Sequence, residues 1–378
     1  MPETDMENHG MKRLKIIGKI LLILMIIAAA VILIVLLFLR FYPSIGELPD
    51  EEQKRMFSQR TDLYYDSQFH NENEVPLMTG EGYPSSSRKK PQKTIHAETP
   101  DLITDATNGD LTFTWIGHSS FLLQLGTINI LVDPVLSEMS SPVSFAGSRR
   151  FSELPVKTGE LPEINVLLLS HDHYDHMDYK TIKDIYSRVG VFVVPLGVDS
   201  ILRGWGIENE RIVALDWWEN TEVNGTVITL TPSQHYTGRN PLKSNSTYWG
   251  GYYLDNGINK VYYTGDGGYY DVFGRVRERL GIPDLMIAEC GQYDPAWAGI
   301  HMFPEETVQA AVDANAKWLI PVHWGTFCIC NHAWDDPIIR VTAKSTEMGV
   351  NIATPKIGQT VDYKKIDSFN EPWWEEYE

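Results

Sequence analysis

The 378-residue sequence predicts an α/β fold of two β-sheets packed face to face, with helices outside them and one transmembrane helix at the N-terminus. From residue 111 onward, short runs rich in β-branched and aromatic residues alternate with turn residues. Helix-like segments are inserted late in each half of this region. A Rossmann fold would need regular strand–helix alternation and a glycine-rich phosphate turn, and the early consecutive strands argue against it.

The N-terminal prediction depends on residues 20–39, ILLILMIIAAAVILIVLLFL, which are apolar without interruption. A helix of this length matches a bilayer core of about 30 Å. The run is too long for the apolar region of a cleaved signal peptide, although Ala28–Ala30 leaves cleavage open. We therefore expect an uncleaved signal anchor.

The flanking charges predict the orientation of this anchor. The basic residues before it are Lys12, Arg13, Lys15 and Lys19, and the acidic residues after it are Glu47, Asp50, Glu51 and Glu52. The positive-inside rule then places residues 1–19 in the cytoplasm and the large domain on the non-cytoplasmic side of a single-pass membrane protein.

Composition divides the rest of the chain into three parts. Residues 40–100 are expected to form a polar linker, of which Met56, Phe57, Leu63 and Tyr64 could pack on the main domain. Residues 101–365 are expected to form the main domain, and residues 366–378 an acidic aromatic tail.

The predicted elements of the main domain follow the hydrophobic pattern. Strands are expected over 111–115, 120–125, 128–132, 165–169, 191–195, 226–231, 247–254, 260–264, 285–288 and 318–322. Helices are expected near 179–188, 304–316 and 336–348, with Asp178 as the N-cap of the first and Pro304 in the first turn of the second.

Charge and cysteine content exclude some classes of function. Acidic residues outnumber basic ones by 50 to 32, which gives a formal net charge of -18. The sequence has no basic stripe of the kind that grips nucleic acid, so no nucleic-acid partner is expected. Cys290, Cys328 and Cys330 are too few for a disulfide framework and are interpreted as small buried or semi-buried thiols.

The most informative segment follows the apolar run 166–169 and reads Ser-His-Asp-His-Tyr-Asp-His-Met-Asp over 170–178. Residues two apart in an extended segment project to the same side, so His171 and His173 can meet one metal ion. Asp175 and His176, at the following turn, can face another. Imidazole and carboxylate ligands suit a divalent ion such as zinc.

The pattern His-x-His-x-Asp-His resembles the signature of the metallo-β-lactamase superfamily, which implies a four-layer αββα sandwich. The likeness is closer to the family of N-acylphosphatidylethanolamine-hydrolysing phospholipases D, and it covers roughly residues 100–360. The matching segments are 115–121 (WIGHSSF), Asp133-Pro134, 170–178, 232–236 (PSQHY), 263–269 (YTGDGGY) and 323–327 (HWGTF).

The resemblance implies two zinc ions, although other divalent metals remain possible. It makes His171, His173 and His235 the ligands of one ion, and Asp175, His176 and His323 those of the second, with Asp266 bridging both. The later three each follow a predicted strand, where rigid sheets usually present functional side chains.

Further residues take roles by the same resemblance. His301 is expected to line the substrate site and to act in catalysis, and Asp266 to accept a proton. Tyr174 is expected to touch substrate or merely to pack. Asp133 and His118 are expected to support the ligands from behind, or His118 to be structural.

The sequence also departs from the family. Tyr236 stands where a tryptophan is expected, and Gly267 where a threonine is expected. Both positions adjoin ligands, so they bear on the fit of the substrate.

The expected activity is hydrolysis of a membrane phospholipid, an N-acylphosphatidylethanolamine, to phosphatidic acid and an N-acylethanolamine. The resemblance also allows a homodimer. The alternatives are a lactonase or another hydrolase of the same fold, and a membrane-tethered binding protein without turnover.

Overall fold

The computed structural model of the protein describes residues 3–75, 80–102, 107 and 109–377, with side chains from residue 14 onward. These residues divide into two compact units, Met1–Ile45 and Gly46–Glu378. The first unit is dominated by helix α1 (Glu3–Phe41). Its segment Leu14–Phe41, 28 residues long, is exposed and apolar enough to cross a membrane. The predicted span 20–39 lies within this helix, which extends beyond it at both ends.

The second unit begins earlier than the sequence predicted, because part of the expected linker is folded. Helix α2 (Glu51–Arg60) starts at a capping box formed by Asp50 and Gln53. A hairpin of β1 (Tyr64–Tyr65) and β2 (Gln68–Phe69) follows.

Most elements of the second unit lie beyond this hairpin. In chain order, the strands are β3 (Leu111–Gly117), β4 (Ser120–Leu125), β5 (Ile128–Val132), β6 (Met139–Ser140), β7 (Ser148–Arg149), β8 (Ile164–Leu168), β9 (Val189–Pro195), β10 (Ile212–Leu215), β11 (Asn220–Val223), β12 (Thr226–Thr231), β13 (Gly251–Asp255), β14 (Lys260–Tyr263), β15 (Leu285–Glu289), β16 (Trp318–Val322) and β17 (Thr360–Asp362). The α-helices are α3 (Tyr179–Ile185), α4 (Val198–Gly204), α5 (Val272–Leu280), α6 (Pro304–Asp313) and α7 (Asp336–Met348). Short 3-10 turns cover Pro43–Ile45, Thr158–Glu160, Tyr186–Arg188, Asn209–Arg211, Pro295–Trp297, Tyr363–Ser368 and Trp373–Tyr377.

Two mixed sheets form the centre of this unit. Among the described residues, the first sheet has the strand order β10-β9-β8-β5-β4-β3-β17 and the second has the order β11-β12-β13-β14-β15-β16. Strands β5, β8, β9 and β10 are parallel in the first sheet, and β14, β15 and β16 are parallel in the second. The predicted strand over 247–254 begins only at Gly251.

The two sheets pack face to face, as alternation along β4 illustrates. Phe121 and Leu123 join the core that also contains Ile287 of the second sheet, whereas Leu122 packs on the other face with Ile182 of α3. Helices α3 and α4 cover the first sheet, and residues of α5, α6 and α7 join the core on the side of the second. The αββα architecture predicted from the sequence is confirmed.

Both ends of the second unit contain folded segments outside the predicted main domain, and the packing considered for Phe57 is observed. Phe57 and Phe69 of the expected linker are fully buried, and the Phe69 ring stacks on Tyr248 at 4.5 Å. In the expected tail, the Trp373 ring stacks at 5.4 Å on the Trp324 ring, which comes directly after the ligand candidate His323. These segments fold because a few large aromatic side chains, widely spaced in a polar sequence, bury enough apolar surface to hold them.

Candidate metal centre

The residues singled out in the sequence converge at one edge of the paired sheets. Each lies at or just beyond the end of a strand: Asp133 after β5, His171 to His176 after β8, His235 after β12, Asp266 after β14 and His323 after β16. The strands supply a rigid base, so side chains far apart in sequence meet at this edge.

The donor atoms fall into overlapping groups, within each of which all atoms lie within 4.8 Å of one another. Among the described residues, the groups are His171/His173/His235, His118/Asp175/His176/His323, His171/His176/Asp266, His235/Asp266/His301 and Glu289/His301/His323.

Asp266 lies between the first two groups. Its Oδ2 atom is 3.0 Å from His176 Nε2 and 3.2 Å from His323 Nε2. The same atom is 3.9 Å from His171 Nε2 and 4.0 Å from His235 Nε2. The arrangement corresponds to two triads with a shared carboxylate.

Four of the imidazoles are held from behind through Nδ1. The partner of His171 is the Ser170 hydroxyl at 2.9 Å, and that of His176 is the Asp133 carboxylate at 2.8 Å. His235 donates to the Ile300 carbonyl at 2.9 Å, and His323 pairs with the Ser119 hydroxyl at 2.9 Å. These bonds leave the four Nε2 atoms facing one another, which is how metal-binding histidines are usually oriented.

Asp133 organises the loop after β8. Its Oδ2 atom accepts hydrogen bonds from His176 Nδ1, from the Ser170 hydroxyl at 2.6 Å and from the Tyr263 hydroxyl at 2.6 Å. Its Oδ1 atom accepts from the Ser170 N–H at 2.7 Å. This buried carboxylate ties β5, β8 and β14 to one ligand, the position expected of a residue that supports the site from behind.

His118 is fully buried and pairs through Nε2 with Asp175 Oδ2 at 2.9 Å. Its carbonyl accepts a hydrogen bond from the His323 N–H at 3.0 Å. His118, Asp133 and His323 all adopt positive φ, at 54°, 41° and 69°. Such left-handed conformations cost about 1–3 kcal/mol each, so the hydrogen bonds around the site maintain local strain.

The electrostatics of three imidazoles fit divalent cations, whereas Asp266 and Asp175 hold the pKa of His176 well above its usual value although burial opposes the shift. Burial lowers the pKa of His171, His235 and His323 well below the ordinary value, so these imidazoles are neutral, as metal ligation requires. Burial also raises the pKa of Asp266 to about 6, although His176 opposes the shift.

Two buried polar atoms at the centre have no hydrogen-bond partner among the described residues. They are Asp266 Oδ1 and His176 Nε2, which lies 3.0 Å from Asp266 Oδ2 but makes no well-aligned hydrogen bond to it. Buried polar atoms are normally satisfied, so unpaired donor atoms at the meeting point of seven ligand candidates favour cation binding.

A cavity of about 410 Å³ opens over the cluster. Besides ligand candidates, its lining residues are Tyr236, Gln292, Trp297, Ile300, His301 and Ile329. None of the lining residues is a lysine or an arginine. The wall is therefore mostly apolar, and the site itself is formed by imidazoles and carboxylates.

His301 lines this cavity and is oriented by Glu289, the last residue of β15. Glu289 is fully buried, and its Oε2 atom is 2.9 Å from His301 Nδ1. Its Oε1 atom accepts from the backbone N–H groups of Gly267 at 3.0 Å and Met302 at 3.1 Å.

The close approach of Ser233 and Gln234 explains why glycine stands at position 267. A Cβ atom there would lie 3.0 Å from the Gln234 backbone nitrogen and 3.1 Å from Ser233 Cβ, so a threonine would be crowded.

Tyr174 is placed apart from the cavity. Its hydroxyl donates to the Arg239 carbonyl at 2.8 Å, and the Arg239 guanidinium lies 4.3 Å from its ring centroid. This geometry corresponds to packing, and contact of Tyr174 with substrate stays a prediction.

Comparison with known proteins agrees with this geometry. A family profile described as the beta-lactamase superfamily domain matches residues 128–324. The chain belongs to the metallo-β-lactamase superfamily. It is a metal-dependent hydrolase by family, with candidate ligands for divalent cations in place.

Three individual proteins illustrate what the chain is similar to within this superfamily. An uncharacterised protein of Mycobacterium tuberculosis is 34% identical over 340 residues, which cover 86% of this chain and 90% of that protein. N-acyl-phosphatidylethanolamine-hydrolyzing phospholipase D 1 of Caenorhabditis elegans is 34% identical over 227 residues, 57% of this chain and 64% of that protein. Among solved structures, a possible metal-dependent hydrolase from Veillonella parvula superposes with a TM-score of 0.55 at 21% identity, covering 68% of this chain and 99% of its own.

Sequence reasoning missed several residues of the site. Glu289 ends an apolar strand at the same edge as Asp266 and His323, so the signal that identified those two residues applied to it as well. Asn71 had no such signal. Its side chain accepts a hydrogen bond from the His235 N–H at 3.0 Å and donates one to the His235 carbonyl at 2.8 Å. The expected linker therefore stabilises the loop that carries His235.

Proposed function

We propose that the protein is a membrane-anchored phosphodiesterase with two zinc ions that hydrolyses N-acylphosphatidylethanolamine-type phospholipids to phosphatidic acid and N-acylethanolamine. The observation that carries the proposal is the meeting of seven imidazole and carboxylate ligands under a mostly apolar cavity. The likeness to the phospholipase of Caenorhabditis elegans supports the choice of substrate.

In this proposal His171, His173 and His235 would hold one ion, Asp175, His176 and His323 would hold the other, and Asp266 would contribute to both. Two divalent cations so placed supply Lewis acidity toward a phosphoryl group and acidify water at neutral pH. The protein's own contribution is to fix the ligands. Asp133, Ser119, Ser170 and His118 restrict the rings and carboxylates to one orientation.

Asp266 and His301 are the proposed catalytic residues. Asp266 lies at the floor of the cavity, where its carboxylate can accept a proton from the attacking water. Glu289 engages His301 Nδ1, which leaves Nε2 for the cavity and for a phosphoryl or leaving-group oxygen. Because no arginine or lysine is among the described residues that line the cavity, bound cations would have to meet the charge of the phosphodiester.

The cavity also limits how much of a lipid can enter. A volume of about 410 Å³ has room for a head group and part of one chain, within the range of small-molecule sites. The other chains would lose about 0.8 kcal/mol per methylene exposed to water, so we propose that they stay in the bilayer. Helix α1 would hold the domain beside that bilayer, on its non-cytoplasmic side.

The test uses full-length protein in vesicles that contain N-acylphosphatidylethanolamine, phosphatidylethanolamine or phosphatidylcholine, and a parallel panel of lactones. Mass spectrometry should detect phosphatidic acid and N-acylethanolamine from the N-acylated lipid. The H171A variant should be inactive, whereas H96A is the matched control, because the His96 side chain is exposed and pairs with Glu153 at 3.0 Å, away from the ligand candidates.

Three outcomes would contradict the proposal. Diacylglycerol would place cleavage on the other side of phosphorus. Turnover of lactones without lipids would favour a lactonase. A metal-loaded protein that turns over nothing would favour a tethered binding protein.

A further inference from the structure

A second chemically active cluster lies in the loop after the HWGTF segment. It contains Cys328, Cys330 and His332. The Cys330 sulfur is 2.9 Å from His332 Nε2. His332 Nδ1 donates to the Ala333 carbonyl at 2.8 Å, which fixes the tautomer and leaves Nε2 as an acceptor for the Cys330 thiol proton. A thiol and a base at this distance form the pair from which thiol chemistry usually starts.

The second thiol, Cys328, is the accessible one. Cys328 is partly exposed, whereas Cys330 is 3% exposed. The Cys328 sulfur is 3.5 Å from the Cys330 carbonyl. The neighbouring Cys330 side chain lowers the pKa of Cys328 to about 7, although burial opposes the shift, and the charges of Lys89 and Lys90 also lower it. A partly exposed cysteine with a lowered pKa near a second thiol is the usual arrangement of a redox-sensitive cysteine.

The loop that carries the thiols is also a wall of the metal-centre cavity. Ile329, between the cysteines, is 47% exposed and lines that cavity. Gln292, another lining residue, accepts hydrogen bonds from the N–H groups of Ile329 at 2.9 Å and Cys330 at 3.2 Å. It donates to the His323 and Phe327 carbonyls at 3.3 and 3.1 Å. A change in the backbone at 328–330 therefore reaches the cavity through Ile329 and Gln292.

We propose that Cys328 and Cys330 form a peroxide-sensitive dithiol that closes to an intramolecular disulfide and thereby alters the mouth of the metal-centre cavity. Hydrogen peroxide transfers one oxygen to the Cys328 thiolate, which gives a sulfenic acid and releases hydroxide. The Cys330 sulfur then attacks Cys328 and displaces hydroxide, while its proton passes to His332 and on to the leaving group. The net change is two thiols and one peroxide to one disulfide and two waters. A ring closed across a single residue is strained and hence readily reduced by a thiol.

Intact mass spectrometry of the full-length protein in detergent tests the dithiol without any activity measurement. Peroxide should remove two hydrogens from the chain and reduce the thiols that can be alkylated after denaturation from three to one, with Cys290 as the survivor. Dithiothreitol should reverse both changes. The C330S variant should stop at a Cys328 sulfenic acid that dimedone traps, and C328S should form no crosslink.

The H332Q variant distinguishes the chemistry from a structural role. Sulfenic acid should form on Cys328 at the wild-type rate, whereas closure of the disulfide should slow at least about tenfold. Cys290, fully buried, is the internal control. If Cys328 reacts no faster than Cys290, or if peroxide gives only disulfides between chains, the dithiol is refuted. Unchanged closure in H332Q would refute the role of the histidine.

The effect on the cavity rests on the proposed function and is measured separately. The oxidised protein should show a KM for N-acylphosphatidylethanolamine raised several-fold, restored by dithiothreitol and absent in C328S. A disulfide proven by mass with unchanged kinetics would refute the coupling to the cavity. A protein that turns over no lipid in either redox state contradicts the proposed function and leaves the mass result intact.

Discussion

Replacing Asp133 with asparagine should weaken metal binding without removing any ligand. Three donors converge on Asp133 Oδ2: the Ser170 hydroxyl, His176 Nδ1 and the Tyr263 hydroxyl. If the asparagine oxygen keeps the bond from the Ser170 N–H, its NH₂ group faces those three donors. The two hydroxyls can rotate to accept, but a His176 Nδ1–H cannot.

D133N therefore loses one charge-assisted hydrogen bond, the bond from His176 Nδ1, which is worth about 1.5–3 kcal/mol. At about 1.4 kcal/mol per tenfold change, the affinity for the ion held by His176 should fall roughly 10- to 100-fold. Competition with a fluorescent chelator measures this affinity directly in detergent-solubilised protein.

Asp178 offers the matched control for this substitution. Asp178 is also a buried carboxylate in the segment that follows β8. Its side chain accepts hydrogen bonds from Ser137 and from Thr181 at the start of α3, and neither residue is a ligand candidate. D178N should change stability and leave metal affinity intact. Wild-type affinity in D133N, or equal weakening in both variants, would refute this role for Asp133.

Other contacts lead to three further expectations. In E289Q the backbone N–H groups of Gly267 and Met302 should still bond the side-chain oxygen, so the new NH₂ group faces His301 Nδ1 and forces the other tautomer of that ring. The kcat should then fall about tenfold or more while the metal content stays unchanged. A kcat equal to that of the wild type would contradict this role of Glu289. W373A should lower the free energy of unfolding, measured with denaturant, by about 3–5 kcal/mol, because the Trp373 side chain is 4% exposed. F145A, at an 85% exposed position, is the control and should lower it by less than about 0.5 kcal/mol. Protease added to the outside of intact cells should digest the domain that follows helix α1, and protection until the membrane is breached would reverse the proposed orientation.

The sequence was most informative where function and local pattern coincide. The cluster between His171 and His176 is compact in sequence, and the β-strand period places alternate residues on one side. His235, Asp266 and His323 each end an apolar strand, so the strand pattern located them. The same pattern defined the paired sheets, because their strands are buried and apolar.

Other features depend on contacts between distant segments and have no local pattern. Phe69 is an isolated aromatic residue in a polar stretch, and only tertiary packing shows that it is buried. The contact of Asn71 with His235 joins residues 164 positions apart. Tyr174 lies between ligand candidates in sequence, yet backbone geometry directs its hydroxyl to Arg239. The possible homodimer stays a prediction.

The central claim is that this chain is a hydrolase that needs two divalent ions held by seven ligands. Metal content measured on full-length protein, with activity on N-acylphosphatidylethanolamine followed as ions return to stripped protein, tests it most directly. We expect close to two ions per chain, no activity after stripping, and recovery that is complete at about two equivalents, with D266A recovering neither ions nor activity. Full activity in the stripped protein, or a fully active enzyme with one ion or none, would contradict it.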